Sequence, residues 1–119
     1  MNNENSYSVI LPTLNEVGHI NSLIKEISNN FDKFNIEYEI IIVDDNSVDG
    51  TVEEILKIND PRIIINKRIG KKKSLVDSLN EGINISKKEN IIWMDADFSH
   101  PPNYIEKFIK IRNEKNIDL

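Results

Sequence analysis

The chain contains no cysteine. Disulfides, thiolate nucleophiles and Cys-ligated zinc are therefore excluded. It also lacks an excess of positive charge. Fifteen Lys and Arg face twenty Asp and Glu, giving a formal net charge of -5. A general nucleic-acid binder normally carries a basic footprint, so no nucleic-acid partner is expected. No apolar run approaches the ~20 residues of a membrane span. The opening Met1-Asn2-Asn3-Glu4-Asn5-Ser6 has neither the charged nor the apolar region of a signal peptide, so a cytoplasmic protein is expected. Linkers rich in Pro, Gly and Ser are missing, as are internal repeats. The 119 residues suit a single domain over 1–119. Apolar residues make up 39% and charged residues 29%, enough for a modest core and too mixed for a disordered tail.

What is present is an alternation of short apolar runs with helical periodicity. Tyr7-Ser8-Val9-Ile10-Leu11 reads as a strand closed by Pro12, which has no N–H for pairing. Ile20, Leu23, Ile24 and Ile27 recur at helical spacing, with Phe31 one turn later. Tyr38 to Val43 is β-branched and nearly continuous, as expected for a strand covered on both faces. Asp44-Asp45-Asn46-Ser47 ends it in a turn. Thr51 and Glu54 predict a capping box for a short helix carrying Ile55 and Ile58. Pro61 ends that segment, and Arg62 to Ile65 forms a third strand. After a basic loop, Ser74 caps a helix whose expected inward face is Leu75, Leu79 and Ile83. Ile91-Ile92-Trp93-Met94 is the fourth strand, with Trp93 expected in the core. Pro101-Pro102 opens a last helix with Ile105, Phe108 and Ile109 inward. Ile117-Asp118-Leu119 reads like the start of another strand, so a partial domain is expected.

Strands alternating with helices predict an α/β fold with a mostly parallel, Rossmann-like sheet and right-handed crossovers. Ligands on such sheets bind beyond the carboxyl ends of the strands. Pro12 to Glu16, Asp44 to Ser47 and Asp95 to Ser99 all fall at such ends, and the remaining strand end leads to the basic loop. These segments converge on one candidate site.

Asp95-Ala96-Asp97 is its sharpest feature. The two carboxylates lie on one side of an extended chain. Their α-carbons would be ~6.6 Å apart in a strand, and two carboxylates sharing one ion need oxygens roughly 4 Å apart. A slight bend at the strand end closes that gap. Hard carboxylate oxygens suit Mg²⁺ or Mn²⁺, which keep positions open for water or phosphate oxygens. A solvated turn is the competing reading of the same three residues. Asp44 and Asp45 point to opposite faces, so one turns into the site and the other supports a turn. Glu16 near a helix N-terminus is favoured by the dipole, or accepts hydrogen bonds from a nucleotide. The loop Lys67 to Lys73 holds five basic residues in seven positions. It cradles a diphosphate, touches an anionic lipid surface, or is simply solvated. Solvation is the expectation for Lys71 to Lys73, and Arg68 is the better phosphate fork. His19 is expected to be an exposed helix residue. His100 orients the metal loop or forms a cap.

Taken together, three segments resemble the nucleotide-binding half of the family 2, GT-A-type glycosyltransferases, in particular the dolichyl-phosphate mannosyltransferases and their polyprenyl-phosphate relatives. They are Val9 to Glu16, Ile42 to Thr51 and Met94 to Pro102, in the family's order. The resemblance implies a GT-A fold. It places Pro12, Leu14 and Glu16 along the nucleotide pocket, and Val43 and Asp45 against the base or ribose. Asp95, Ala96 and Asp97 form the DXD motif that binds the diphosphate and metal, with Asp95 and Asp97 as metal ligands and Asp97 as the catalytic position. It implies an inverting, Mg²⁺- or Mn²⁺-dependent hexosyltransferase. The donor would be a GDP- or UDP-sugar, with GDP-mannose leading, and the acceptor a polyprenyl (dolichyl) phosphate at the cytoplasmic face of a membrane, through peripheral contact. Leu14 stands where Tyr is common, Asn46 where Gly is usual, and Lys73-Ser74-Leu75-Val76 where the mannosyltransferase pattern is Gly-rich. The alternatives are a nucleotide-sugar-binding module without catalysis, an inactive truncated fragment, and a phospho-receiver domain. The receiver is disfavoured because its acidic pair follows the first strand, whereas here the pairs follow the second and fourth.

Overall fold

The computed structural model of the chain describes residues 6–96. Asp97, His100, the helix expected after Pro101-Pro102 and the strand expected at Ile117 lie outside those residues. Seven elements follow in order. They are β1 (Tyr7–Thr13), α1 (Ile20–Lys33), β2 (Tyr38–Asp44), α2 (Thr51–Leu56), β3 (Ile63–Lys67), α3 (Leu75–Ile85) and β4 (Asn90–Trp93). The four strands form one sheet in the order β3-β2-β1-β4, and every neighbouring pair is parallel. The expected mostly parallel α/β architecture is what the chain adopts.

Alternation of side chains along the strands builds two cores. Tyr7, Val9 and Leu11 face one way with Ile40 and Ile42, and they meet Ile20, Leu23, Ile24, Ile27 and Phe31 of α1 together with Ile55 of α2. Each such fully buried side chain stabilises the fold by roughly 1.5–3 kcal/mol. Ile10, Ile41 and Val43 face the other way, where Leu79 and Ile85 of α3 pack. The β2 strand is buried along its whole length, as its continuous apolar run predicts.

Four local expectations need correction. First, β1 runs through Pro12 to Thr13. The Tyr7 N–H and the Thr13 carbonyl both bond the β2 side. By alternation the nitrogen of Pro12 faces the β4 side, beyond the last β1–β4 pair, Ile10↔Trp93. No ladder bond is forfeited there. Second, α2 has Gly50 at its N-cap, in the left-handed region, and Thr51 is already helical, so the Thr51–Glu54 capping box does not form. Third, the buried residues of α3 are Ser78 and Gly82, while Leu75 and Ile83 are about half exposed. A methyl group built on Gly82 would sit 2.6 Å from Ile10 Cγ2, so the helix lies too close to β1 for a larger residue at that point. Fourth, Trp93 is 45% exposed. Its neighbours Ile92 and Met94 join the α1-side core, which leaves Trp93 on the opposite face of a strand that pairs on one side only among the described residues. The Ser74 cap does form: its hydroxyl accepts from the Asp77 N–H at 3.1 Å.

Candidate active site

The strand order fixes where a ligand would sit. From β1 the chain steps outward to β2 and β3, then returns across β1 to β4. At the carboxyl end of β1 the chain leaves into α1 on one face, while α3, which crosses from β3 to β4, lies on the other. Such a switch point leaves a crevice. A cleft of about 300 Å³ opens there, between the end of β1 (Pro12, Thr13, Leu14, Glu16), the start of α3 (Lys73, Ser74, Leu75, Ser78), Asp45 and Asp95.

The two acidic residues after β2 divide their work as their opposite directions predict. Asp44 is buried and serves the turn. Its carboxylate accepts from the Thr13 hydroxyl (2.7 Å), the Ser47 hydroxyl (2.6 Å) and the Ser47 N–H (2.8 Å). Asp45 lines the cleft. Asn46 follows with φ +65°, a left-handed conformation that favours Gly; Asn is among the few other residues that adopt it readily.

Three consecutive residues of the β1–α1 loop are tied to the β2–α2 loop and the first residue of α2. The Asn15 N–H donates to the Ser47 hydroxyl (2.8 Å), and the Val48 N–H donates to Asn15 Oδ1 (2.9 Å). The Glu16 N–H donates to the buried Thr51 hydroxyl (2.9 Å), and the Val17 N–H donates to Asp49 Oδ2 (3.2 Å). The Thr51 hydroxyl hydrogen bond holds the Asp49 carboxyl below its ordinary value. Glu16 Oε2 lies 2.8 Å from Nε2 of His19, the N-cap residue of α1. His19 is thus a partner of a cleft residue and not merely an exposed helix position.

Arg68 does not behave as the phosphate fork that its chemistry suggested. It is buried, with 2% of its surface exposed. Its Nη1 donates to Asp45 Oδ1 at 2.6 Å and its Nε donates to Glu81 Oε2 at 2.6 Å. Asn66 Nδ2 adds a bond to Glu81 Oε1 at 2.9 Å. The Arg68 hydrogen bond first, then the Asn66 amide, lowers the Glu81 carboxyl to about 2. The same bond to Glu81, then the Asp45 charge, raises Arg68 further above its ordinary value. The other Asp45 oxygen accepts the Ser74 N–H at 2.9 Å. Both oxygens of Asp45 are therefore held by β3–α3 groups, which fixes the carboxylate at the wall of the cleft.

Of the residues singled out in the sequence, Pro12, Leu14, Glu16, Asp45 and Asp95 come together at this cleft. Val43, two positions before Asp45, is fully buried with Ile10 and Ile41 and is not among the lining side chains. Ala96 is buried in the α1-side core. Asp97 lies outside the described residues. Ser74, Leu75 and Ser78 line the cleft with no binding role expected for them from sequence, beside Thr13 and Lys73 of the converging segments. The i, i+4 spacing of Ser74 and Ser78 was a legible signal, since it puts both on one helix face.

A divalent ion would find a hard donor at the cleft in the Asp95 carboxylate. Among the described residues, no group of three or more His, Cys, Asp or Glu side chains is gathered to enclose a metal. One carboxylate facing the cleft fits an ion such as Mg²⁺ or Mn²⁺, which is held through one or two carboxylates and completed by water and ligand oxygens. No described helix is long and apolar enough to cross a membrane.

Comparison with known proteins bears on the family and the fold. The chain is 35% identical over 113 residues to a dolichol-phosphate mannosyltransferase of Pyrococcus furiosus, covering 94% of this chain and 32% of that protein. It is 29% identical to an undecaprenyl-phosphate 4-deoxy-4-formamido-L-arabinose transferase of Proteus mirabilis, covering 92% and 34%. The chain thus spans about a third of the length of these relatives. Its fold is shared by many solved structures, among them two with a nucleotide sugar bound. S. aureus TarS 1–349 in complex with UDP-GlcNAc has a TM-score of 0.77 at 21% identity, covering 93% of this chain and 32% of that one. A mannosyltransferase of Pyrobaculum calidifontis in complex with GDP-Man and Mn²⁺ has a TM-score of 0.65 at 24% identity, covering 76% and 27%. Residues 8–118 match the profile of glycosyl transferase family 2, and the chain belongs to that family.

Proposed function

We propose that the protein to which this chain belongs transfers a sugar from a nucleoside-diphosphate donor to a polyprenyl phosphate, with inversion at the sugar carbon, and that this chain forms the donor site. GDP-mannose is the leading donor, and a UDP-sugar is the competing one. The observation that carries the reading is the cleft at the β1/β4 switch point. Pro12, Leu14, Glu16, Asp45 and Asp95 line it together, in a chain that matches glycosyl transferase family 2 over residues 8–118. The names of the Pyrococcus and Proteus relatives support a polyprenyl-phosphate acceptor.

The chain's own residues account for recognition and orientation. Pro12 and Leu14 offer an apolar wall to a nucleoside, without the aromatic stacking that a Tyr would add at position 14. Glu16 offers a carboxylate to ribose or base donors. Asp45, fixed by Arg68 and the Ser74 N–H, sets the depth of the cleft. Asp95 and Asp97 would hold Mg²⁺ or Mn²⁺, which when bound supplies positive charge beside the departing diphosphate. In the transfer, an acceptor phosphate oxygen forms the new bond to the sugar carbon as the bond to the diphosphate oxygen breaks. The nucleoside diphosphate leaves with the electron pair. A phosphate oxyanion is already nucleophilic near neutral pH, so no strong protein base is required. The reaction would take place at the cytoplasmic face of a membrane.

The test is titration of GDP- and UDP-sugars with and without Mn²⁺, followed by transfer to a short-chain polyprenyl phosphate. Asp95→Ala and Asp97→Ala should each remove the Mn²⁺-dependent part of binding. Unchanged nucleotide affinity and unchanged metal dependence in both variants would refute the site. Binding without transfer by the full-length protein would favour a binding module.

A further inference from the structure

Lys73 is expected from sequence to be a solvated lysine in a basic loop. The structure places it differently. Its Nζ donates to the main-chain carbonyl of Asp45 at 2.7 Å, and its side chain lines the cleft. It is the only basic side chain among the lining residues described, facing a cleft that also carries Glu16, Asp45 and Asp95. The carboxylate of Asp45 is already matched by the buried guanidinium of Arg68 at 2.6 Å. No described carboxylate forms an ion pair with Lys73, whereas Lys71 pairs with Glu81 and Lys57 with Glu54.

An ammonium group has three N–H donors and no acceptor. One is used by the Asp45 carbonyl, which holds the head group at the cleft wall and leaves two donors. We propose that Lys73 is a nucleotide-binding residue of this cleft, donating to an oxygen of the bound nucleotide: a diphosphate oxygen or a keto oxygen of the base. The inference rests on the donor-site reading above and adds to it a charge that none of the residues in the acidic motifs can supply.

The experiment measures binding of GDP, UDP, guanosine, uridine and ADP to the wild-type chain and to Lys73→Met and Lys73→Arg, in EDTA and in Mn²⁺. Removing a charged donor should weaken diphosphate binding about tenfold or more, including in EDTA. Lys73→Arg should recover part of it, because the cation is kept. If the loss appears with the diphosphates and not with the nucleosides, the partner is a phosphate oxygen. If guanosine and uridine lose equally while ADP changes little, the partner is a keto oxygen. The melting temperature of ligand-free Lys73→Met should fall only slightly, since the side chain is exposed and gives up a single hydrogen bond, to the Asp45 carbonyl. Wild-type affinity in Lys73→Met for all five ligands would overturn the proposal while leaving the donor site standing. Failure of the wild type to bind any nucleotide would instead overturn the donor site and, with it, this role for Lys73.

Discussion

Replacing Gly82 with Ala tests the packing that shapes the α3 side of the cleft. In an ordinary exposed helix position this change stabilises by up to about 1 kcal/mol, because Ala orders more readily than Gly. Here the added methyl would lie 2.6 Å from Ile10 Cγ2 and 3.2 Å from both Cγ1 and Cδ1. The nearest atom is a branch methyl next to the backbone of a fully buried β1 residue, so it cannot swing away as a chain end would. Relief requires moving α3 off the sheet or forcing Ile10 out of its rotamer. Overpacking of this kind costs about 1–3 kcal/mol. An approach as close as 2.6 Å belongs in the upper part of that range, about 2–3 kcal/mol, so against a helix gain of about 1 kcal/mol the net destabilisation should be about 1–2 kcal/mol. For a chain of this size that lowers the melting temperature by about 3–10 °C. Urea unfolding followed by circular dichroism measures it, with Gly18→Ala as the control, since nothing lies within 4 Å of a methyl group at that position. The control should stay within about 0.5 kcal/mol of wild type. A Gly82→Ala chain as stable as wild type, or more so, would show that α3 does not press on β1 at this spacing.

The Arg68 network sets an acid limb of stability. Glu81 has its carboxyl lowered from 4.5 to about 2, so its stabilising contribution is complete above the ordinary carboxyl range and is lost as pH falls from 4.5 towards 2. Glu81→Gln should be less stable than wild type at neutral pH, with the gap closing across that window; a gap independent of pH would refute the assignment. At Asn46, with φ +65°, Ala should cost about 1 kcal/mol or more while Gly is tolerated, as read by chemical denaturation; equal losses for both would refute the backbone argument. The Asp95→Ala and Asp97→Ala titrations and the Lys73 series complete the set, and their readout is nucleotide affinity.

The order of strands and helices was legible because each buried element repeats its apolar residues at its own period. In α1 the Ile20, Leu23, Ile24, Ile27 and Phe31 series is buried without exception. The same rule misjudged α3, where Leu75 and Ile83 look inward by type while Ser78 and Gly82 are the buried residues. Apolar periodicity reports how greasy a face is, not how near the neighbouring backbone comes, and a close crossing selects small residues instead. Pro12 looks like a stop in the sequence because the sequence does not reveal which flank of β1 is unpaired. The cleft was legible as a convergence of strand ends. Arg68 was not, because its partners Asp45 and Glu81 are 23 and 13 residues away and meet it only through the fold. Lys73 was hidden for the same reason, its partner being the main chain of Asp45.

The hydrogen bonds joining Asn15, Glu16 and Val17 to Ser47, Thr51 and Asp49 bear on ligand affinity. Two connections that would otherwise fluctuate separately become one rigid rim before any donor arrives. The entropy of ordering them is lost during folding, so it does not subtract from the binding free energy later. Substitutions that unpick this rim should therefore weaken nucleotide capture even where they touch no atom of the ligand.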